Sequence, residues 1–107
     1  SGETSLVAVA QGLETHVAWI PGDPVLASTQ HYLILDATEV EGVRPGDQFT
    51  LLRMADTTTD GIRIPEQEVA VARVVRVTPF GSTAIVVRQT QPAIQRGAPA
   101  RLTARMP

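Results

Sequence analysis

The feature that most constrains this chain is a series of short segments rich in β-branched residues, separated by proline, glycine and aspartate. Each segment has roughly the five to ten residues of an ordinary β-strand. The short connections leave little room for the long crossovers that parallel strands require. The sequence therefore predicts an all-β fold, a small antiparallel β-barrel or sandwich of about six or seven strands.

The predicted strands cover most of the chain. They span residues 6–10, 15–20, 31–36, 48–53, 68–78, 83–89 and 100–105. Turns are predicted at 21–24 and 79–82, and residues 55–65 are predicted to form a long loop or an extended hairpin tip. A helix over residues 5–20 is a weaker alternative, because Gly12 and several valines oppose it.

The longest predicted strand has an ambiguous register. Its apolar odd positions are Val69, Val71, Val75 and Val77. Arg73 interrupts this series, so either a bulge shifts the register or Arg73 points outward at the rim of the sheet. The sequence leaves both alternatives open.

Residues 41–47 predict a tight turn between two strands. Pro45 has a fixed φ, and Gly46 can adopt the positive φ that a type II turn requires at the next position. Structural turn roles are therefore assigned to Gly42, Pro45, Gly46, Asp47 and Gly97.

The length of 107 residues is that of one ordinary domain, so residues 1–107 are interpreted as a single β-domain. The leading Ser1-Gly2 is typical of the remnant of a cleaved tag, which predicts that the chain is excised from a longer protein. Its uninterrupted apolar runs fall far short of the roughly 20 residues that cross a bilayer. We therefore expect no membrane span.

Several classes of function find little support in the composition and motifs. A net charge of −2 offers no excess of positive charge for nucleic acid, and the absence of cysteine excludes disulfides and thiolate metal sites. His16 and His31 do not have the spacing of metal ligands, and no serine lies in a Gly-x-Ser-x-Gly elbow. We expect a non-enzymatic domain with no catalytic residue, no cofactor and no metal.

The acidic residues also give little support to catalysis. Asp36, Glu39, Glu41 and Asp47 are the candidates for a pair of catalytic carboxylates. Glu39 and Glu41 lie beside a turn, where acids are ordinarily solvated. A hydrolase fragment is therefore the weakest alternative.

The candidate contacts to a ligand or partner are Trp19, Arg73, Arg76 and Arg88. The tryptophan could stack on a sugar ring or a partner surface, or it could be a partly buried anchor at the end of a strand. The three arginines could together recognise an anionic group, or they could pair with Glu66 and Glu68 as solvated cross-strand partners.

A strand ending at Asp36, a Gly-Val-x-Pro-Gly-Asp turn over 42–47 and a Phe-x-Leu-x-Arg strand over 49–53 form a distinctive series. This series resembles the β-domains that accompany LysM (lysin motif) repeats in bacterial envelope proteins. Residues 69–77, 82–87 and 94–97 are similar to the closing half of those domains and to the C-terminal domain of flagellar H-ring proteins. The second turn departs from the family pattern, since Ala98 stands where the family usually has aspartate, and no LysM repeat lies inside the chain.

The resemblance implies a location in the cell envelope, in the periplasm or at the cell surface. It implies a non-catalytic accessory or protein-interaction domain, with peptidoglycan bound chiefly by a LysM module elsewhere in the parent protein. We expect another envelope protein, or a neighbouring copy, to dock by adding a strand to an exposed sheet edge. The competing hypothesis is a ligand-binding barrel that recognises a sugar or an anionic ligand near Trp19 and the arginines.

Overall fold

The computed structural model describes residues 6–9, 12–20, 31–53, 55–91 and 94–106. It confirms the all-β prediction. The strands are β1 Val7–Ala8, β2 Glu14–Trp19, β3 Tyr32–Leu35, β4 Gln48–Arg53, β5 Asp56–Thr57, β6 Arg63–Ile64, β7 Gln67–Thr78, β8 Gly81–Gln89 and β9 Pro99–Arg105. A single 3₁₀ turn, Glu39–Glu41, interrupts the described strands. The predicted turn at 21–24 and the Ser1-Gly2 remnant lie outside the described residues.

Six strands close into an antiparallel barrel in the order β9-β2-β3-β8-β7-β4, because β4 also pairs with β9. Of the two architectures predicted, the barrel is therefore the one that forms. The short strand β1 pairs with the end of β9, while β2 pairs with its beginning. The predicted loop at 55–65 contains a small separate ribbon in which β5 pairs with β6.

The barrel interior is filled by aliphatic side chains from all six strands and by one aromatic ring. Phe49 and Leu51 of β4 and Leu33 and Leu35 of β3 are fully buried. They lie in one continuous core. Except at Leu52, which is also buried beside a register shift, these residues alternate with exposed or half-buried neighbours, which is the pattern of a strand with one covered face.

Strand β7 contains both of the features that the sequence left open. Its pairing with β8 shifts between Val71 and Ala72 and again between Val74 and Arg76, and Arg73 is exposed. The second irregularity leaves Val75 46% exposed. The odd-numbered valines therefore do not form one continuous inner face, and the buried even positions Ala70, Ala72 and Val74 belong to the core.

The turn before β4 has the geometry that its sequence predicts. The Asp47 amide donates to the Arg44 carbonyl at 3.1 Å, and Gly46 has a φ of 93°. This φ is what a type II turn requires at its third residue. Gly42 and Gly97, the other two glycines assigned to turns, each have a φ of 90°.

Closure of the barrel leaves little of the exposed edge that we expected a partner strand to use. Each of the six barrel strands is paired on both sides along part of its length. Among the described strands, unpaired edges remain on β1 and on the β5–β6 ribbon, whose strands have two residues each, and on the end of β7 after Val74, which β4 does not reach. Short edges of this kind are poor templates for strand addition. No helix in the described part of the chain is long and apolar enough to span a membrane.

Candidate functional site

The outer surface of β2, β3 and β8 carries large apolar side chains that point to solvent. Trp19 is 48% exposed and Tyr32 is 52% exposed. Trp19 lies opposite Ile34, and Tyr32 lies opposite Ile85. Because registered cross-strand residues share a face of the sheet, these four side chains form one surface, which we call the aromatic face.

Two arginines of β7 border the aromatic face. Arg73 lies opposite Ile85, and Arg76 lies opposite Thr83, which in turn lies opposite Ile34. Neither arginine forms an ion pair or a side-chain hydrogen bond with any described residue. With strands about 4.8 Å apart, Arg76 lies three strands, or roughly 14 Å, from Trp19.

The third predicted arginine has an internal partner. Arg88 Nη2 lies 3.2 Å from Glu68 Oε2, on the surface of the β7–β8 hairpin. Glu66 pairs with Arg101 at 3.4 Å instead of with an arginine of the hairpin. The structure thus brings Trp19, Arg73 and Arg76 to one face, and Arg88 forms the cross-strand ion pair that was the alternative interpretation.

The histidines and acids do not assemble into a group of three or more that could hold a metal ion among the described residues. His16 Nε2 lies 3.5 Å from Asp36 Oδ2, and both side chains are more than half exposed. Glu41 accepts a hydrogen bond from the Thr38 amide at 3.1 Å, which caps the 3₁₀ turn. The Asp47 carboxylate is buried and pairs with Arg105. Three of the four candidate acids, Asp36, Glu41 and Asp47, therefore have a local structural partner.

Sequence reasoning missed two adjoining cavities at the barrel end where β4 stops. The larger, of about 270 Å³, is lined by Leu52, Arg53, Val69, Gln95, Arg96, Gly97, Ala98 and Pro99. The smaller, of about 200 Å³, shares Leu52 and Pro99 and also reaches Glu14, Glu66 and Arg101. No local motif predicts these cavities, because their walls come from segments far apart in the sequence.

Two further apolar side chains were also missed. Val40 in the 3₁₀ turn is 86% exposed, and Phe80 in the β7–β8 turn is 89% exposed. Gly81, which follows Phe80, lies against β3, where a Cβ would approach the Leu35 carbonyl oxygen to 3.0 Å. Val69, near the start of β7, lines the larger cavity, whereas Phe80 follows the end of β7. Phe80 therefore lies at the end of the barrel opposite the two cavities.

The geometry as a whole offers an exposed apolar surface and an open pair of cavities, without a described cluster of reactive side chains. Comparison with known proteins finds no matching family model, no similar curated protein and no similar solved structure.

Proposed function

We propose that this chain is a non-catalytic accessory domain that binds another protein through the aromatic face. The observation that carries the proposal is the half-exposure of Trp19 and Tyr32 on neighbouring strands of a closed barrel. Tryptophan, tyrosine and arginine are the residues that most often dominate the energy of protein interfaces. An apolar centre bordered by Arg73 and Arg76 has the arrangement of such an interface, with its polar groups at the rim.

The resemblance to LysM-associated domains supports a parent protein in the bacterial cell envelope, in the periplasm or at the cell surface. In this proposal the LysM module of the parent chain binds peptidoglycan, and the β-domain contacts another envelope protein or a neighbouring copy. Barrel closure supports contact through side chains of the aromatic face in preference to strand addition, since the remaining described edges are short.

A photo-crosslinking experiment tests this function directly. In the full-length protein, Tyr32 is replaced by a photoreactive phenylalanine analogue and the cells are irradiated. We expect one discrete crosslinked protein, whose yield falls when Trp19→Ala is added. The same analogue at Arg63, an exposed residue of the separate β5–β6 ribbon, is the matched control and should give no such product. Equal crosslinking from both positions would contradict a specific aromatic face.

The second candidate function is direct recognition of a sugar, and one observation favours it. Trp19 lies in a cross-strand row with Ile34, Thr83 and Arg76, so a sugar chain with one ring stacked on the indole could extend along this row toward a cation. Sedimentation with insoluble peptidoglycan separates the two functions. We expect the 107-residue chain to stay in the supernatant. Saturable pelleting that Trp19→Ala abolishes without unfolding the barrel would favour the sugar-binding function.

A further inference from the structure

The larger cavity at the end of β4 combines two cations with an apolar floor. Arg53 and Arg96 both line it, and both are exposed. Leu52 is 8% exposed and Val69 is 4% exposed, so their side chains form the buried floor. The cavity therefore offers charge at its mouth and hydrocarbon beneath.

The two arginines are not neutralised by the protein itself. Neither forms an ion pair or a side-chain hydrogen bond with the residues that the structure describes. The acids of the neighbouring segment have other partners, since Glu66 pairs with Arg101 and Glu68 pairs with Arg88. The cavity mouth thus keeps a local positive charge on an acidic protein.

The two guanidinium groups at the cavity mouth favour the binding of a planar anion. A guanidinium group presents parallel N–H donors that match the two oxygens of a carboxylate, and two guanidinium groups can bind both of its edges. The apolar floor favours an anion that is attached to a hydrocarbon group. At about 270 Å³ the cavity is slightly smaller than the roughly 300–1,000 Å³ of sites for drug-sized ligands, which limits the occupant to about one residue.

The smaller cavity indicates how the occupant continues. It shares Leu52 and Pro99 with the larger one, and its far side is lined by Glu14, Glu66 and Arg101. Arg101 Nε lies 3.2 Å from Glu14 Oε1, so the cation on this side is already paired. A ligand that extends from the larger cavity across Leu52 and Pro99 therefore meets no second unpaired cation in the smaller cavity.

We propose that these adjoining cavities bind the C-terminal end of a peptide, with the terminal carboxylate between Arg53 and Arg96 and an apolar last side chain on Leu52 and Val69. This site is separate from the aromatic face and does not depend on the function proposed for that face. The preceding peptide residue lies over Pro99 and enters the smaller cavity.

The test is a two-dimensional NMR titration of the whole chain with acetyl-Leu-Leu, which carries a free carboxylate, and with acetyl-Leu-Leu-amide, which does not. We expect saturable shifts of the Gln95 and Gly97 amide signals with the acid, and at least tenfold weaker binding of the amide. Equal binding of the two peptides would overturn the proposal. Inorganic phosphate is the third probe, and binding as tight as that of the peptide acid would also overturn it.

Variants assign the effect to the two arginines. Arg53→Gln and Arg96→Gln should each weaken binding of the peptide acid about tenfold, whereas Arg44→Gln should leave it unchanged. Arg44 is the matched control, because it is exposed and precedes β4, at the opposite end of the strand from Arg53. An equal loss in all three variants would show a non-specific charge effect and contradict the site. Trp19→Ala should retain full binding, so this test and the test of the aromatic face fail independently.

Discussion

Arg105 at the end of β9 and Asp47 just before β4 form a bidentate ion pair. Arg105 Nη2 lies 2.8 Å from Asp47 Oδ2, and Nε lies 3.2 Å from Oδ1. The same guanidinium donates to the Gly42 carbonyl at 2.7 Å, and the Asp47 carboxylate also accepts the Arg44 amide at 2.9 Å. The pair thus joins the type II turn to the last strand at the seam where β4 and β9 close the barrel.

Removing the arginine should destabilise the barrel. Arg105→Gln leaves the Asp47 carboxylate buried without its cation, because the side chain of Asp47 is only 2% exposed. We expect a loss of about 2 kcal/mol or more in the free energy of unfolding, measured by urea denaturation. Arg63→Gln, which removes an exposed arginine of the β5–β6 ribbon, should change it by less than about 0.5 kcal/mol. Similar losses in both variants would show that the pair has no special role.

The contribution of this pair should not vary over the neutral and mildly alkaline range. The hydrogen bond to the Asp47 carboxylate raises the pKa of Arg105, and this effect outweighs partial burial, which lowers it. A raised pKa stabilises the fold fully below the ordinary arginine pKa, and this stability is lost only as the pH rises through the higher folded-state value. The difference in unfolding free energy between the wild type and Arg105→Gln should therefore be equal at pH 7 and pH 10. A difference that shrinks at pH 10 would refute this assignment.

Glycine substitutions in this fold can destabilise it in two ways, by straining the backbone or by steric overlap of the new Cβ with a neighbouring residue. A Cβ on Gly12 would lie 1.8 Å from the carbonyl oxygen of Leu102 on β9, where the backbone cannot move aside without disrupting the pairing with Leu13. Gly46→Val combines both effects, an unfavourable positive φ and a Cβ that would overlap the side chain of Met106, and should cost about 1 kcal/mol or more. Gly12→Ala should lower the urea midpoint further than Gly61→Ala, since a Cβ on Gly61 meets no atom within 4 Å. Equal midpoints would show that Gly12 is not tightly packed against Leu102 of β9.

The local elements of this fold could be predicted from the sequence because each has a local cause. The apolar residues at 31–36 predict a strand, although Tyr32 is more exposed than the covered faces expected for it, and the Pro45-containing turn has its own chemistry. Barrel closure could not be predicted, because it depends on pairing between β4 and β9, which lie far apart in the chain.

The candidate sites, too, could be predicted only in part from the sequence. Trp19 was predicted as a possible ligand or partner contact from its residue type and its position beside a turn, with a partly buried anchor at the strand end as the alternative. Its grouping with Tyr32 and Ile85 depends on the register across three strands. Arg53 and Arg96 could not be connected by any motif, since only the barrel brings the end of β4 to the loop before β9.

The ion pair between Arg88 and Glu68 should contribute little to stability. Their side chains are 62% and 37% exposed, so water screens the attraction. A double-mutant cycle with Arg88→Ala and Glu68→Ala should give a coupling energy of about 0.2–1 kcal/mol at low salt and less in 1 M salt. A coupling that is larger and insensitive to salt would mean that the pair is desolvated in solution.

The only tryptophan of the chain, Trp19, makes the aromatic face directly observable. Because its side chain is 48% exposed, acrylamide should quench its fluorescence efficiently in the folded protein. The shielding of Trp19 then reports which surface a ligand covers. A protein partner that docks on the aromatic face should reduce the quenching constant, whereas acetyl-Leu-Leu in the cavities beside Arg53 should leave it unchanged. Tyr32→Ala should weaken the partner's shielding effect, since its side chain occupies the same face, and Arg63→Gln should not, since Arg63 lies on the separate β5–β6 ribbon. Efficient shielding of Trp19 in the isolated chain would contradict the exposed face on which the proposed function depends.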